Sequence, residues 1–451
     1  MYCSFFSYIT GNGMRSHCFF YWWPDFSKIN PLKKEGETVG IVVQKFGGTS
    51  VGNVERILNA ARRVVEEKEK GNQVVVVVSA MGKSTDQLVE LAKQISPIPD
   101  KREMDMLLST GEQITISLLS MALKEMGHEA ISFTGGQAGI LTESVPGNAR
   151  IKHISSGKIQ GCLNEKKIVI VAGFQGIDEN NEILTLGRGG SDTTAVALAA
   201  ALNADRCDIF TDVTGVYTTD PRYIKGARQL KSVSYDEMLE LANLGAGVLH
   251  PRAVEFAKNY GIALQVCSSM EKVEGTIIEE AVTMEQNLIV RGVAFEEDII
   301  RVTLVGLKNE IQHLSTIFTK LAENHINVDI IIQSQTEAQK TSLSFSIKKE
   351  QLNETISVLE NYKKELDFES AEYETGLAKV SIVGSGMVSN PGVAAQMFKA
   401  LADEHIKIKM VSTSEIKVST VIDEGQMLKA AGILHTAFGL DKLKAEAEVS
   451  S

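Results

Sequence analysis

Gly40-Ile41-Val42-Val43-Gln44 runs straight into Lys45-Phe46-Gly47-Gly48-Thr49-Ser50-Val51-Gly52-Asn53. A short β-branched run of this kind reads as a buried strand. The glycines after it let backbone amides approach a ligand that a Cβ would keep away. The lysine precedes the glycines, whereas a Walker A loop carries its lysine after the last glycine, at the opening of a helix. The stretch therefore reads as an ammonium at a strand end, placed to neutralise charge on a transferring phosphoryl group. The same letters also suit a plain glycine turn beside a surface lysine, and the rest of the chain has to decide.

Working outward, residues 39 to 283 alternate short apolar runs with longer helical patterns. Val74 to Ser79, Ile168 to Ala172 and Ile209 to Thr211 read as buried strands, and Val54 to Lys70 and Thr194 to Leu202 as helices. Such alternation predicts an α/β fold, a mostly parallel sheet covered by helices on both faces. Ligands of these folds gather at the carboxyl ends of the strands, and the polar, glycine-rich segments fall there.

Four more segments carry chemistry. Ser79-Ala80-Met81-Gly82-Lys83-Ser84-Thr85-Asp86 is a strand end breaking into a polar turn, either a substrate loop or a capped helix start. Gly111-Glu112-Gln113 puts a carboxylate into a helical region, where it receives a ligand ammonium or serves as a capping or solvated Glu. Leu186-Gly187-Arg188-Gly189-Gly190-Ser191-Asp192-Thr193-Thr194 leads into an Ala/Leu helix. Its glycines, forked guanidinium and Asp make an anion-binding corner in which Arg188 can hold a carboxylate bidentately. Thr211-Asp212-Val213-Thr214-Gly215-Val216-Tyr217-Thr218-Thr219-Asp220-Pro221-Arg222 is a strand and a loop rich in hydroxyls and carboxylates, suited to a nucleotide or to a turn-rich linker. A phosphate clamp, a carboxylate clamp, an ammonium acceptor and a nucleotide loop together imply phosphoryl transfer to a small amino acid.

Beyond residue 283 the chain repeats itself. Val302-Thr303-Leu304-Val305-Gly306 recurs as Val380-Ser381-Ile382-Val383-Gly384. Leu321-Ala322-Glu323-Asn324-His325-Ile326-Asn327-Val328 recurs as Leu401-Ala402-Asp403-Glu404-His405-Ile406-Lys407-Ile408. Each copy reads as a βαββαβ module, with helices at Ser315 to Asn324 and Val393 to Glu404, and two modules so alike are expected to pair their sheets. The modules are expected at 284–370 and 371–451.

The five motif stretches, followed by Val248-Leu249-His250-Pro251-Arg252, closely resemble the aspartate kinases of the amino acid kinase superfamily. The repeats resemble the ACT domains that end such enzymes. The likeness runs from Val39 nearly to the C-terminus and is closest to the single-function, lysine-regulated type of Gram-positive bacteria. It implies a three-layer αβα kinase domain that phosphorylates the side-chain carboxylate of L-aspartate from ATP, at the first step toward lysine, threonine and methionine. Carried over, the resemblance makes Lys45 and Asp192 catalytic. Lys45, Phe46, Gly47, Gly48, Thr49, Ser50, Thr211, Asp212, Thr218, Asp220 and Arg222 would surround the nucleotide. Thr85, Glu112, Arg188 and Ser191 would hold aspartate, with Ser191 and Asp192 near the phosphates and the Mg²⁺. Mg²⁺ would be held mainly by the phosphates and not by a dedicated protein site.

The resemblance also implies lysine, alone or with threonine, as an effector near Asn309, Gln333, Asn390, Gly392 and Ser414. It further implies assembly into a homo-oligomer through the ACT modules and an internal start at Met284 giving a separate regulatory subunit. Asn390-Pro391-Gly392-Val393 keeps a Pro-Gly turn that the first copy replaces with Ile311-Gln312. Many relatives carry a nucleotide-contacting Lys where this chain reads Gly245-Ala246-Gly247-Val248, and Lys225 or Arg222 would have to supply that charge. Rival readings are a kinase for glutamate or acetylglutamate, disfavoured by the paired repeats with LGRGGSD, and a silent amino-acid sensor, disfavoured by Lys45, Arg188 and Asp192.

Composition sets the remaining bounds. The chain has 451 residues and a net charge of −11, which argues against nucleic acid or an anionic membrane as the main partner. No apolar run is expected to approach the ~20 residues that span a bilayer. Five scattered cysteines with no CxxC suggest neither a zinc site nor a disulfide framework, and a reducing cytoplasm is the expected compartment. Residues 1–38 hold both tryptophans, Trp22 and Trp23, lack periodicity and have no signal-peptide pattern. They are expected to be disordered or foreign to the native protein, whose start would then be Val39.

Overall fold

The computed structural model describes residues 40–245, 247–280, 288–308, 310–337 and 340–442. The expected features at residues 1–39, Met284 and Asn309 lie outside these residues. β1 (Ile41–Phe46) leads through a 3₁₀ turn to α1 (Val54–Glu69), whose first turn is capped by the Asn53 side chain accepting the Arg56 N–H. There follow β2 (Gln73–Val78), α2 (Ser84–Ile95), α3 (Lys101–Leu108), α4 (Thr110–Glu125), β3 (Ala130–Phe133), β4 (Ile140–Thr142), β5 (Ile151–Ile154) and α5 (Gly157–Asn164). Then come β6 (Ile168–Ala172), β7 (Gln175–Ile177), β8 (Ile183–Thr185), α6 (Gly190–Leu202), β9 (Arg206–Thr211), β10 (Ser232–Ser234), α7 (Tyr235–Asn243), α8 (Pro251–Tyr260), β11 (Leu264–Ser268) and β12 (Thr276–Glu279).

Eight strands form the main sheet in the order β10-β12-β11-β9-β1-β2-β6-β3, parallel except where β11 meets β12. Period-two alternation divides its side chains between two cores. Phe46, Val74, Val76 and Val78 face α1 and α4, while Val43, Val75, Val77 and Ile209 face α5, α6 and α8. This is the expected three-layer αβα arrangement. The helical run Lys101–Glu125 is long and apolar enough to cross a membrane by composition alone, with a mean hydropathy of 1.2. In the fold its Ile116, Leu119 and Leu123 are core residues of the first of these faces.

Register fixes where the loops emerge. Phe46 pairs with Val78 and Phe210, and Val78 pairs with Ala172, so β1, β2, β6 and β9 all end at one edge of the sheet. The segments starting at Gly47, Ser79, Gly173 and Asp212 therefore share that edge. A smaller sheet, β5-β4-β7-β8, stands beside it.

The repeats comprise β13 (Gly292–Lys308), α9 (Ile311–Glu323), β14 (Ile331–Glu337), β15 (Lys340–Lys348), α10 (Leu352–Asn361), α11 (Lys363–Leu366) and β16 (Ser370–Val383). They continue with α12 (Val393–Asp403), β17 (Ile408–Thr413), β18 (Lys417–Asp423) and α13 (Met427–Ala437). All six strands join in one antiparallel sheet, β14-β15-β13-β16-β18-β17. The copies match down to His325 and His405, both left-handed after their helices.

One expectation is corrected. The modules are not sequential blocks dividing at residue 370. Gly292–Glu296 of β13 pairs with Lys379–Val383, and Val290 and Val293 lie in the core of the second module. Ile300, Val302, Leu304 and Leu307 belong to the core of the first. β13 thus serves both modules, with a register shift after Glu296 and a left-handed Asp298 marking the crossing. A local repeat in sequence does not reveal which copy a strand's partner belongs to.

The half that carries the repeats is fastened to the half that carries the parallel sheet. The buried Glu237 of α7 accepts bonds from the Ser385 N–H (2.9 Å) and hydroxyl (2.7 Å), and Lys417 pairs with Glu240 at 2.8 Å. Arg291 approaches the same Glu237 carboxylate at 3.6 Å.

Candidate active site

Lys45, the fifth residue of β1, points to the α6 side of the sheet. There its ammonium lies 2.5 Å from Oδ1 of Asp192 in the first turn of α6. The approach is off the line of an aligned hydrogen bond, so this is an ion pair whose oxygen has no aligned donor. Both residues are 9% exposed, which keeps the ammonium fixed and the local dielectric low. Gly47 lies against it, a Cβ position there standing 3.5 Å from Lys45 Nζ, within ordinary contact. Gly48 packs against the next loop, where a Cβ would meet Ala80 O at 3.0 Å and Gly82 O at 3.1 Å, and the Gly82 N–H donates to Gly48 O at 3.0 Å.

The segment read as a loop before Thr194 is already helix from Gly190. Gly189, left-handed at φ 71°, caps it, and the N–H of Thr193 returns to Gly189 O at 3.1 Å. The His250 side chain packs directly against Gly189, so that a Cβ would fall 2.1 Å from its Cγ. His250 caps α8 by accepting the Arg252 N–H on Nδ1 at 3.3 Å, and burial, then Arg252, pushes its pKa down, consistent with a neutral ring. Ser191 packs on Gly173, while Arg188 projects into solvent at the same corner. Gly189→Ala combines backbone strain with a collision and is expected to cost at least ~2 kcal/mol of stability by urea unfolding, together with activity. Gly71→Ala, left-handed at φ 94° with open space around it, should cost about 1 kcal/mol and leave activity intact.

Glu112, in the first turn of α4, is 3% exposed. Its Oε1 accepts the Ala80 N–H at 3.0 Å, and its Oε2 is buried without a hydrogen-bond partner. Burial raises its pKa to about 7. A half-satisfied buried carboxyl is costly, and a ligand ammonium is the group that would complete it. The Ala80 bond ties it to the loop that packs on Gly48. Thr85, half-buried in the first turn of α2, follows on from that loop.

On the far side of β1, Thr211 ends β9 and donates a 3.2 Å hydrogen bond to the exposed Asp212 that follows it. Asp220 receives the Arg222 guanidinium, at 2.6 Å to Nη2, and this bond holds the Asp220 carboxyl below the usual range. Arg222 is thus already paired, and Lys225 is exposed. Gly247 is left-handed at φ 66°, a position where a lysine would be strained.

Three expected nucleotide side chains are otherwise engaged. Phe46 is fully buried and stacked on Phe210 at 4.7 Å, because it alternates to the face opposite Lys45. The Ser50 hydroxyl is buried against Ser269 Oγ at 2.9 Å. Thr218, 1% exposed, bonds His435 of α13 at 2.8 Å and accepts the Arg228 N–H at 3.0 Å.

The effector candidates do not form one cluster within the chain. Gln333 is exposed on β14 and Ser414 in the β17–β18 turn, at opposite edges of the six-stranded sheet. Gly392, left-handed at φ 101°, caps α12, and the Asn390 side chain donates to Gly386 O at 2.7 Å. These two share the Ser414 end of β16, where Val383 pairs with Lys417. His250, Glu237 and His435 had no assigned role in the sequence reading. His250 stood in a quoted motif, whereas nothing local distinguishes Glu237 or His435.

Residues 40–268 match the amino acid kinase family, and residues 302–362 and 380–438 match the ACT domain. An aspartokinase of Bacillus sp. (strain MGA3) is 73% identical over 402 residues, 89% of this chain and 98% of that protein. Among solved structures, E. coli aspartokinase III in complex with aspartate and ADP, in the R-state, is similar with a TM-score of 0.75 and 27% identity, over 88% of this chain and 99% of that one. The same enzyme in complex with lysine and aspartate, in the T-state, gives a TM-score of 0.70 at 27% identity over the same shares.

Proposed function

Because the chain belongs to the aspartokinases of the amino acid kinase family, we propose that it transfers the γ-phosphoryl group of ATP to the side-chain carboxylate of L-aspartate, giving 4-phospho-L-aspartate and ADP. The observation that carries this reading is the buried Lys45 ammonium beside Gly47, at the edge where four parallel strands end. A carboxylate oxygen of aspartate attacks the γ-phosphorus as the bond to the β,γ-bridging oxygen breaks. The nucleophile is already ionised at neutral pH, so no general base is needed, and catalysis is positioning plus charge neutralisation.

Lys45 meets the charge in flight, with the main chain of Gly47, Gly48 and Thr49 around the phosphates. Glu112 receives the substrate ammonium through its unpartnered oxygen, Arg188 takes the α-carboxylate, and Thr85 and Ser191 complete the pocket. Thr211, Asp212, Asp220 and Arg222 line the nucleotide side. Magnesium accompanies the nucleotide and, when bound, neutralises phosphate charge. Asp192 fits as its single carboxylate neighbour. Phosphate oxygens would supply most of its other ligands.

Lysine, alone or with threonine, is the proposed feedback effector, acting near Asn390, Gly392 and Ser414 in the second module and Gln333 in the first. The edge strands β14 and β17 support homo-oligomer formation through these modules. A fragment starting at Met284 would retain the whole of β13 and with it both interleaved cores, which supports an independent regulatory subunit. ATP and a free amino acid as substrates point to the cytoplasm.

Acyl phosphate trapped with hydroxylamine from MgATP and L-aspartate, but not L-glutamate, and reduced by added L-lysine is the expected result. Folded protein giving no product from aspartate would overturn the assignment.

A further inference from the structure

The loop after β9 is anchored at one end in the kinase sheet and at the other in the regulatory half. Thr211 and Phe210 lie in β9, beside β1 and β11. Seven residues on, Thr218 is held from every side. Its carbonyl accepts the Val293 N–H of β13 at 2.8 Å, its N–H donates to Arg228 O at 2.8 Å, and its hydroxyl meets both the Arg228 N–H and His435 Nε2. His435 is 1% exposed on α13, on the side carrying the buried Ala431 and Leu434. Burial lowers its pKa, which suits a neutral imidazole sharing one hydrogen bond with a hydroxyl. Neighbouring contacts repeat the attachment. Arg228 Nε donates to Leu440 O at 2.6 Å, Tyr223 meets Phe295 edge-on at 5.7 Å, and Ile224 packs on the second module's core.

A threonine expected to touch ATP is therefore committed to a histidine of the regulatory half, 217 residues away. We propose that His435 is a positioning residue for the kinase reaction: through Thr218, the second regulatory module sets where Thr211, Asp212, Asp220 and Arg222 stand, and so sets the affinity for ATP. The inference rests on the reading of this loop as the nucleotide side of the site. Displacement of α13 relative to β9 must either carry Thr218 with it or break a buried hydrogen bond, which links the effector module to nucleotide binding without a shared ligand. A merely structural interface contact would instead reduce stability and leave the surviving enzyme's kinetic constants unchanged.

The test uses the full chain with MgATP and L-aspartate, comparing His435→Ala, His435→Gln, Thr218→Val and Asp212→Ala. His435→Ala is expected to raise KM for ATP at least fivefold, with kcat and the KM for aspartate within twofold. His435→Gln, whose amide can reach the Thr218 hydroxyl, should recover most of the loss. The double variant His435→Ala with Thr218→Val should be no worse than Thr218→Val alone, since that variant already lacks the bond His435→Ala removes, together with the one from the Arg228 N–H. A lowered melting temperature with unchanged KM for ATP overturns the proposal, as does a uniform loss that the glutamine does not rescue. Asp212→Ala separates the two levels. If it raises KM for ATP while His435→Ala does not, the positioning role alone fails. If neither changes it, the nucleotide reading of the loop fails as well.

Discussion

Lys45→Ala is expected to lower kcat by roughly 10³-fold or more while changing the KM for aspartate by no more than a few-fold. A cation held against a transferring phosphoryl group acts where charge is redistributed in the transition state, and removing such groups from phosphotransferases has effects of this size. Its binding to the ground-state substrate is a smaller matter, so the loss should fall on kcat. The ammonium is nine-tenths buried beside Gly47, and water that fills the space left by the side chain brings no charge. Lys45→Arg should not rescue, because a planar guanidinium spreads its charge over a fork and does not reproduce a compact ammonium at one point. Lys45→Ala also strands the buried Asp192 carboxylate, and breaking one side of such a pair costs about 3 kcal/mol. Adding Asp192→Asn should restore much of the stability and none of the turnover. Urea unfolding and single-turnover kinetics on the single and double variants separate the two effects. Near-normal turnover in folded Lys45→Ala would remove the residue from its role.

The loops of this site were legible in the sequence because their chemistry is concentrated at strand ends. Glycines with little or no space for a Cβ, such as Gly48 against Ala80 and Gly189 against His250, stand in the same short motifs as the charged Lys45, Arg188 and Asp192. What stayed illegible is direction and distance. Phe46 and Lys45 are adjacent in one motif, yet pleating sends one ring into the α1 core and the other side chain to α6. Thr211 and Thr218 look equivalent in TDVTGVYTTDP, and only the fold brings His435 onto the second. The repeats were visible as copies, but the sharing of β13 between two cores depends on pairing across the whole regulatory sheet. The helix read as starting at Thr194 starts at Gly190, because a left-handed Gly189 serves as the cap that a polar side chain would otherwise provide.

Glu112→Gln should raise the KM for aspartate by about 10²-fold, leave the KM for ATP unchanged and abolish the pH dependence expected of the native protein. A charge-assisted hydrogen bond to an ammonium is worth about 2–3 kcal/mol, close to a hundredfold in affinity. Gln retains an oxygen for the Ala80 N–H, so the local fold survives and the readout is recognition. The sign of the pH effect follows from burial, which raises the carboxyl from its ordinary value of 4.5 to about 7. In the empty enzyme the carboxyl is therefore protonated below about pH 7 and cannot pair with an ammonium. kcat/KM for aspartate should rise up to tenfold per pH unit toward 7 and level off above it, and the profile of Glu112→Gln should be flat over the same range. Bound substrate stabilises the ionised form, so the corresponding inflection in kcat should lie at lower pH. Folding stability runs the other way. The folded protein holds this proton more tightly than the unfolded chain does, so the stability it confers is fully present below pH 4.5 and lost as the pH rises through about 7. Glu112→Gln should accordingly be at least as stable as the native protein at pH 8, while binding aspartate worse. An unchanged KM for aspartate in Glu112→Gln would show that the buried carboxyl serves the fold alone, and a native profile already flat between pH 6 and 8 would show that it does not titrate where its burial places it.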